Sequence, residues 1–323
     1  MGPLPIAVSN NLFDTLVCPI LLYNSEISYM DYHLNFYRAK LRGNLNNKVL
    51  DPLQFTDKSP AEKVHLSFCK HILGVRKTTS NLCTRLELDR NPLEQMIMLR
   101  TVSYMSRLCS KNINKLLNEA FNLTKELNDQ NVYTWYTFAK DFISDDKLLQ
   151  QVVNCNNKNK LKTLKSNSKN HFNKWFQKLY QNKLDLLNES NKTYLYKSIK
   201  EDFNREFYLL FKDFESRRVL TKIRMCDHNL AIEKGRYLKI HREQRLCVVC
   251  NVVEDEAHFL LHCKTNESLR NTLLKEFFED ADKYEQHSEI KKLKILLNPK
   301  SYKQVNVISS YIKQSLVLRM GDS

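Results

Sequence analysis

The chain has 323 residues with a hydrophobic fraction of 42%, 5 glycines and 7 prolines. Apolar content near the globular norm excludes a largely disordered chain. So little turn punctuation among abundant helix formers excludes a sheet-rich fold, and a mainly α protein is predicted. A formal net charge of +15 points to a polyanionic partner, and the apolar stretch at 12–23 is too short to span a bilayer.

The 9 cysteines are an odd number. Cys18, Cys69, Cys83, Cys109, Cys155 and Cys226 are scattered, mostly among apolar neighbours, where a free thiol acts as a small hydrophobe. That usage predicts a reducing compartment, nucleus or cytoplasm, and not a disulfide framework. No basic segment precedes an apolar one at the N-terminus, so a signal peptide is not expected.

Three consecutive regions are expected: a helical region at 1–110, a helical linker region at 111–200 and a metal-binding region at 201–323. In the first, residues 12–23 read as a buried helix or strand. The run 68–75 reads as a helix end, with Gly74 suited to its C-cap. Thr78, Thr79, Ser80 and Asn81 suggest a loop, with Ser80 or Asn81 capping the next helix.

In the second region Ile113, Leu116, Leu117, Ala120, Phe121 and Leu127 recur at helical period and predict a core face. Asp145-Asp146 reads as a cap or loop. Asn, Lys and Ser dominate 154–170, which is the linker candidate. Residues 151–200 hold 11 Lys against Asp185 and Glu189, the footprint of phosphate binding. Phe172, Trp175, Phe176, Leu179, Tyr180, Leu184 and Leu187 form a second apolar stripe, and Phe203, Phe207, Leu210, Phe211 and Phe214 a third. Around Pro299, Leu293, Leu296 and Leu297 and then Ile308, Ile312 and Leu316 predict two closing helices.

The sharpest chemical signal is Cys247, Cys250, His258 and Cys263, spaced C-x2-C-x7-H-x4-C. Thiolates and a neutral imidazole are what tetrahedral Zn²⁺ takes, and four of them close its shell. A closed shell leaves no position for an activated water, so one structural Zn²⁺ is expected and hydrolysis is not. His262 is a rival ligand; the x4 spacing to the last cysteine, like the tail of a retroviral-type knuckle, favours His258. Glu254, Asp255 and Glu256 precede the apolar run and suit a helix start. Three thiolates around one divalent ion leave about −1 of charge, so phosphate contacts must come from nearby. Arg217, Arg218, Lys222, Arg224, Lys234, Arg236, Lys239, Arg242 and Arg245 supply the candidates, against Asp227, Glu233 and Glu243. The expected partner is RNA or DNA, met through its phosphates, with no membrane and no small-molecule substrate.

The run TKIRMCDHNLAIEKGRY at 221–237, RLCVVC at 245–250, EDEAHFLLHC at 254–263 and Arg270 resemble the C-terminal region of non-LTR (LINE-type) retrotransposon reverse transcriptases, with its CCHC reverse transcriptase zinc-binding domain. LFDTLVCPILLY at 12–23 with Ser25-Glu26, FCKHILGVRKT at 68–78, Asn81 and Pro92-Leu93 are similar to the segment after the polymerase palm and thumb. The resemblance implies a module that helps hold template RNA or target DNA. Where the family usually has glycine, this chain has Asn24, and Leu86-Glu87-Leu88-Asp89-Arg90 replaces a Gly-Glu-Leu-Gly-Arg run. Polymerase chemistry needs an aromatic-x-Asp-Asp turn for two metals; Ile143 stands at the aromatic position before Asp145-Asp146, and no complete endonuclease carboxylate set is present. No catalytic residue is therefore expected. The alternatives are a zinc-stapled protein-interaction module and a decayed transposon reading frame without selected activity.

Overall fold

In the computed structural model the chain is mainly helical, and no strand occurs among the described residues. The structure describes residues 4–45, 51–110, 114–155, 158–188, 191–278 and 284–321. It divides into two compact units that interleave along the chain, rather than into three consecutive regions. One comprises 1–12, 66–90 and 183–323, the other 13–65 and 91–182. No single described helix is long and apolar enough to cross a membrane.

The unit of 13–65 and 91–182 is built around the helix Leu93–Leu108, which packs against Ser25–Leu45, Lys115–Asp129, Trp135–Ile143 and Asp146–Val153. Its inward face is Ile97, Met98, Val102 and Met105, all buried. Pro92 offers no side-chain cap, so the Leu93 N–H is met by Glu62 Oε2 at 2.8 Å. A carboxylate there satisfies an orphan donor and answers the helix dipole. Asp145 caps Asp146–Val153, accepting from Leu148 N at 2.6 Å, the role its sequence suggested.

Two expectations fail in this unit. The helix Lys115–Asp129 buries Phe121 but leaves Leu116 and Leu117 exposed, while Ile113 lies outside the described residues. The expected linker is also corrected, because from Lys158 onward it belongs to the 28-residue helix Lys158–Asp185. Leu164, Ser168, Phe172 and Phe176 follow at four-residue steps and are all buried. That stripe continues the aromatic one, and Ser168 Oγ returns its hydrogen bond to Leu164 O at 2.7 Å. Composition hid a helical period that the few apolar residues keep.

In the other unit, Phe214–Arg224 and Glu267–Phe277 pack on Tyr302–Gly321, and Tyr194–Ile199 packs on Glu289–Leu297. The two closing helices around Pro299 are as expected, with Leu293, Leu296, Leu297, Ile308 and Ile312 buried. The third stripe is not one helix. A short 3-10 turn spans Phe207–Leu210 and buries Tyr208 and Leu209 instead. Phe211 is extended, and Asp213 starts a new helix by accepting from Ser216 N at 2.8 Å.

Ser80 caps Asn81–Leu88, accepting from Cys83 N. Gly74 ends Pro60–Leu73 at φ 68°, with Gly74 N to His71 O (3.0 Å) and Val75 N to Lys70 O (3.1 Å) closing the turn. A Cβ at this position would lie 2.8 Å from Arg218 Cγ. Gly74→Ala is therefore expected to cost about 1–2 kcal/mol, read as a lower urea midpoint with unchanged slope.

Candidate metal centre

A short loop, a helical turn and their flanking residues form the site. Cys247 N bonds to Val252 O (2.8 Å), Asn251 N bonds to Cys247 O (2.9 Å), and Leu246 and Val253 make an antiparallel bridge. The chain reverses through Asn251 at φ 56°, a left-handed position that asparagine tolerates better than most residues. Cys247 and Cys250 thus sit on one side of a tight loop. The second pair comes from the π-helical turn His258–His262, which Cys263 terminates, with Cys263 N bonded to His258 O at 2.7 Å. Asp255 Oδ1 accepts from His258 N (2.9 Å) and opens that turn. Phe259 and Leu260 are buried behind it.

The four ligand atoms all lie within 4.8 Å of one another. Cys247 Sγ and Cys263 Sγ are 3.9 Å apart, and Lys264 N donates to Cys250 Sγ at 3.4 Å. His258 Nε2 is buried with no hydrogen-bond partner, which is costly unless something else occupies its lone pair. Burial lowers the His258 pKa and favours the neutral, ligating imidazole. Burial also raises the Cys247 thiol to about 11, so a cation is needed to hold the thiolate near neutral pH. The set is arranged to hold a metal ion. His262 does not belong to it, since its side chain is 57% exposed and pairs with Glu289 at 2.6 Å.

The residues that brace the site carry no spacing signal. Arg319, from the far end of the chain, pairs with Glu254, with its second bond at 2.7 Å. Glu254 also accepts from Ala231 N at 2.5 Å, so it is a buried brace and not a helix-start acid. The hydrogen bonds that Arg319 donates to Glu254, with added attraction from Cys247 and Cys263, raise the Arg319 pKa. Arg270 donates to Cys263 O (3.1 Å), Tyr311 to Leu260 O (2.8 Å), and Glu256 pairs with His228 (2.8 Å).

The basic residues of 217–245 divide by environment. Arg224 is fully buried and paired with Glu87 at 2.7 Å. Arg217 is buried and donates to Phe211 O at 2.6 Å. Neither guanidinium can meet a phosphate, which removes both from the candidate interface. Arg245 is spent on backbone carbonyls, Ile240 O (2.7 and 3.0 Å) and Ile232 O (3.0 Å). It lies across Gly235, where a Cβ would meet Arg245 Cγ at 2.5 Å, so it ties the metal loop to the helix Ala231–Tyr237. Arg218 donates to Gly74 O (3.3 Å), and Lys222 is half-buried. Arg236 pairs with Glu233 (3.2 Å) and Arg242 with Asp255 (3.3 Å). Lys234 and Lys239 are exposed, with no carboxylate partner among the described residues.

No family model, curated protein or solved structure matches the chain.

Proposed function

We propose that the chain is a nucleic-acid-binding protein organised by one structural Zn²⁺, related to the C-terminal region of a non-LTR retrotransposon reverse transcriptase and without catalytic residues of its own. The observation that carries the metal half is the buried, unpartnered His258 Nε2 grouped with three sulfurs. Two Zn–S bonds of about 2.3 Å at a tetrahedral angle set sulfurs about 3.8 Å apart, which supports zinc given the 3.9 Å between Cys247 and Cys263. When bound, the ion would join the loop 247–250 to the turn His258–His262 and would take no part in chemistry. Arg319 and Arg270 would offset the negative charge of the thiolates.

The phosphate contacts are assigned to Lys234, Lys239, Arg236 and Arg242, which lie on or just after the helix that Arg245 ties to the loop. Lys→Gln changes at 234 and 239 with Arg242→Gln should leave folding intact and weaken binding of RNA or DNA. The slope of log K on log salt should fall by about 2 for a single strand. Unchanged affinity and slope in a gel-shift or anisotropy titration would remove the phosphate assignment.

A second reading has its own support. Tyr237, at 89%, and Leu238 are exposed at the end of one helix, and Val248, at 78%, Val249 and Val252 are exposed on the metal loop. An apolar surface of that kind also suits a protein partner. Binding that is insensitive to salt, with no retention on nucleic acid, would favour a zinc-stapled protein-interaction module.

A further inference from the structure

The unit of 13–65 and 91–182 contains an open groove of about 570 Å³ that no step above uses. The helix Leu93–Leu108 gives one wall, with Arg100, Tyr104 and Arg107. The helix Lys158–Asp185 gives the other, with Lys165 and Lys169. Leu99 and Met96 add apolar surface. The one carboxylate at its edge, Glu26, turns Oε2 into the protein, where it is buried. Arg107, Lys165 and Lys169 have no carboxylate partner among the described residues. Four cations against that one carboxylate leave the groove with a net positive charge.

The spacing is as informative as the charge. Arg100, Tyr104 and Arg107 occupy i, i+4 and i+7 and so share one face, about 10 Å long at the helical rise. On the opposite wall exposed Lys162 continues the row of Lys165 and Lys169 at i, i+3 and i+7. Within the first row, between Arg100 and Arg107, stands an aromatic platform. Arg107 lies over the Tyr104 ring at 5.2 Å, and Trp135 holds the same ring edge-on at 5.3 Å, with its own Nε1 fixed on Glu26 O at 2.8 Å. A guanidinium stacked on a braced tyrosine presents a flat cationic surface of the kind that takes an unpaired base.

We infer that this groove binds a single-stranded nucleic acid, with phosphates on Arg107, Lys165 and Lys169 and a base against the Arg107–Tyr104 pair. A duplex hides its base faces and would gain nothing from the aromatic platform. A free nucleotide or inositol polyphosphate could meet the charges but would leave the lysine row beyond the groove unused. The site lies in a different unit from the metal centre, so the inference goes beyond the reading above and does not depend on it.

The test uses the full chain and a fluorescein-labelled oligouridylate or oligothymidylate, with anisotropy measured across a salt series. The groove variant carries Arg107→Gln, Lys165→Gln and Lys169→Gln, all exposed positions. It is compared with the parent, and with the same changes added to Lys234→Gln, Lys239→Gln and Arg242→Gln. Circular dichroism and thermal melting should be unchanged by the groove substitutions. The expected result is weaker binding in both backgrounds and a loss of about 2 from the salt slope. Tyr104→Leu should weaken binding about tenfold or more while leaving the slope as it was. Groove variants that bind with parental affinity and slope in both backgrounds would overturn the inference while leaving the metal-side reading standing. The reverse pattern, loss only on changing the groove, would retain the inference and remove that reading. Equal or tighter binding of duplex, or retention only of ATP or inositol hexakisphosphate, would also overturn it.

Discussion

Stripped of metal by a strong chelator under reducing conditions, the protein is expected to lose amide protection across 245–266 while the helix Leu93–Leu108 keeps its own. Beyond Arg245 at its base, the loop of Cys247 and Cys250 has little else to hold it. Its internal bonds are three backbone hydrogen bonds, two of which make the Leu246–Val253 bridge, and Val248, Val249 and Val252 face outward instead of forming a core. Structural zinc in such small sites is worth about 10 kcal/mol or more of binding free energy at neutral pH, most of it realised as folding. Natively purified protein should therefore carry about one zinc per chain. Cys250→Ser should abolish that content at little packing cost, because Cys250 is only half-buried. Cys109→Ser, a half-buried thiol outside the cluster, should leave it unchanged. Hydrogen exchange and metal analysis read both outcomes. A metal-free protein with undisturbed exchange at 245–266 would show that the four side chains are held by the fold alone.

The metal set was legible in the sequence because its chemistry is local: four ligands within 17 residues fix the loop and the turn that present them. Only the choice between His258 and His262 needed the fold, which turns one inward and pairs the other with Glu289. The cations were less legible. A count of charge along 217–245 cannot tell that Arg224 is sequestered by Glu87, a residue 137 positions away. Nor can it tell that Arg245 is occupied by carbonyls. Low apolar content misled in the same way at 154–170, where three or four well-spaced residues sufficed to anchor a helix.

Two of the three positions at which the resembled family carries glycine, Asn24 and Asp89, are instructive. Asn24 has φ 54° and Asp89 φ 52°, both in the left-handed region. Asn and Asp are the residues with side chains that enter it most readily, so both turns form without glycine. Asn24→Gly should accordingly raise stability by about 0.5–1 kcal/mol, the left-handed cost offset in part by a freer unfolded chain. A small rise in melting temperature is the expected reading, and a fall would mean that the asparagine side chain contributes contacts of its own.

Replacing Arg224 by methionine is expected to cost about 3–5 kcal/mol, because it strands a carboxylate where water cannot reach. Arg224 holds Glu87 at 2.7 Å and Glu206 at 2.8 Å, and donates to Leu297 O at 2.6 Å and to Asn298. Tyr196 and Tyr208 donate to the same Glu87 carboxylate at 2.9 and 2.5 Å, and Lys200 pairs with Glu206 at 2.7 Å. Two acids and two bases are thus enclosed together, and every one depends on the others. Arg224→Met with Glu87→Gln should be less damaging than Arg224→Met alone, since the second change removes the stranded charge. Acid should reveal the same pair. Burial would raise the Glu87 pKa, but Arg224, aided by Lys200 and the Tyr208 hydroxyl, holds it below its ordinary 4.5. A carboxyl with a folded-state pKa lower than its unfolded one contributes fully above the unfolded value, and that contribution is lost as pH falls through the folded value. Urea midpoints should therefore be flat in this respect from neutral pH upward and should drop below the usual carboxylate range, with a shallower drop in the double variant. A phosphate-binding Arg224 would behave oppositely, losing nucleic-acid affinity with stability intact.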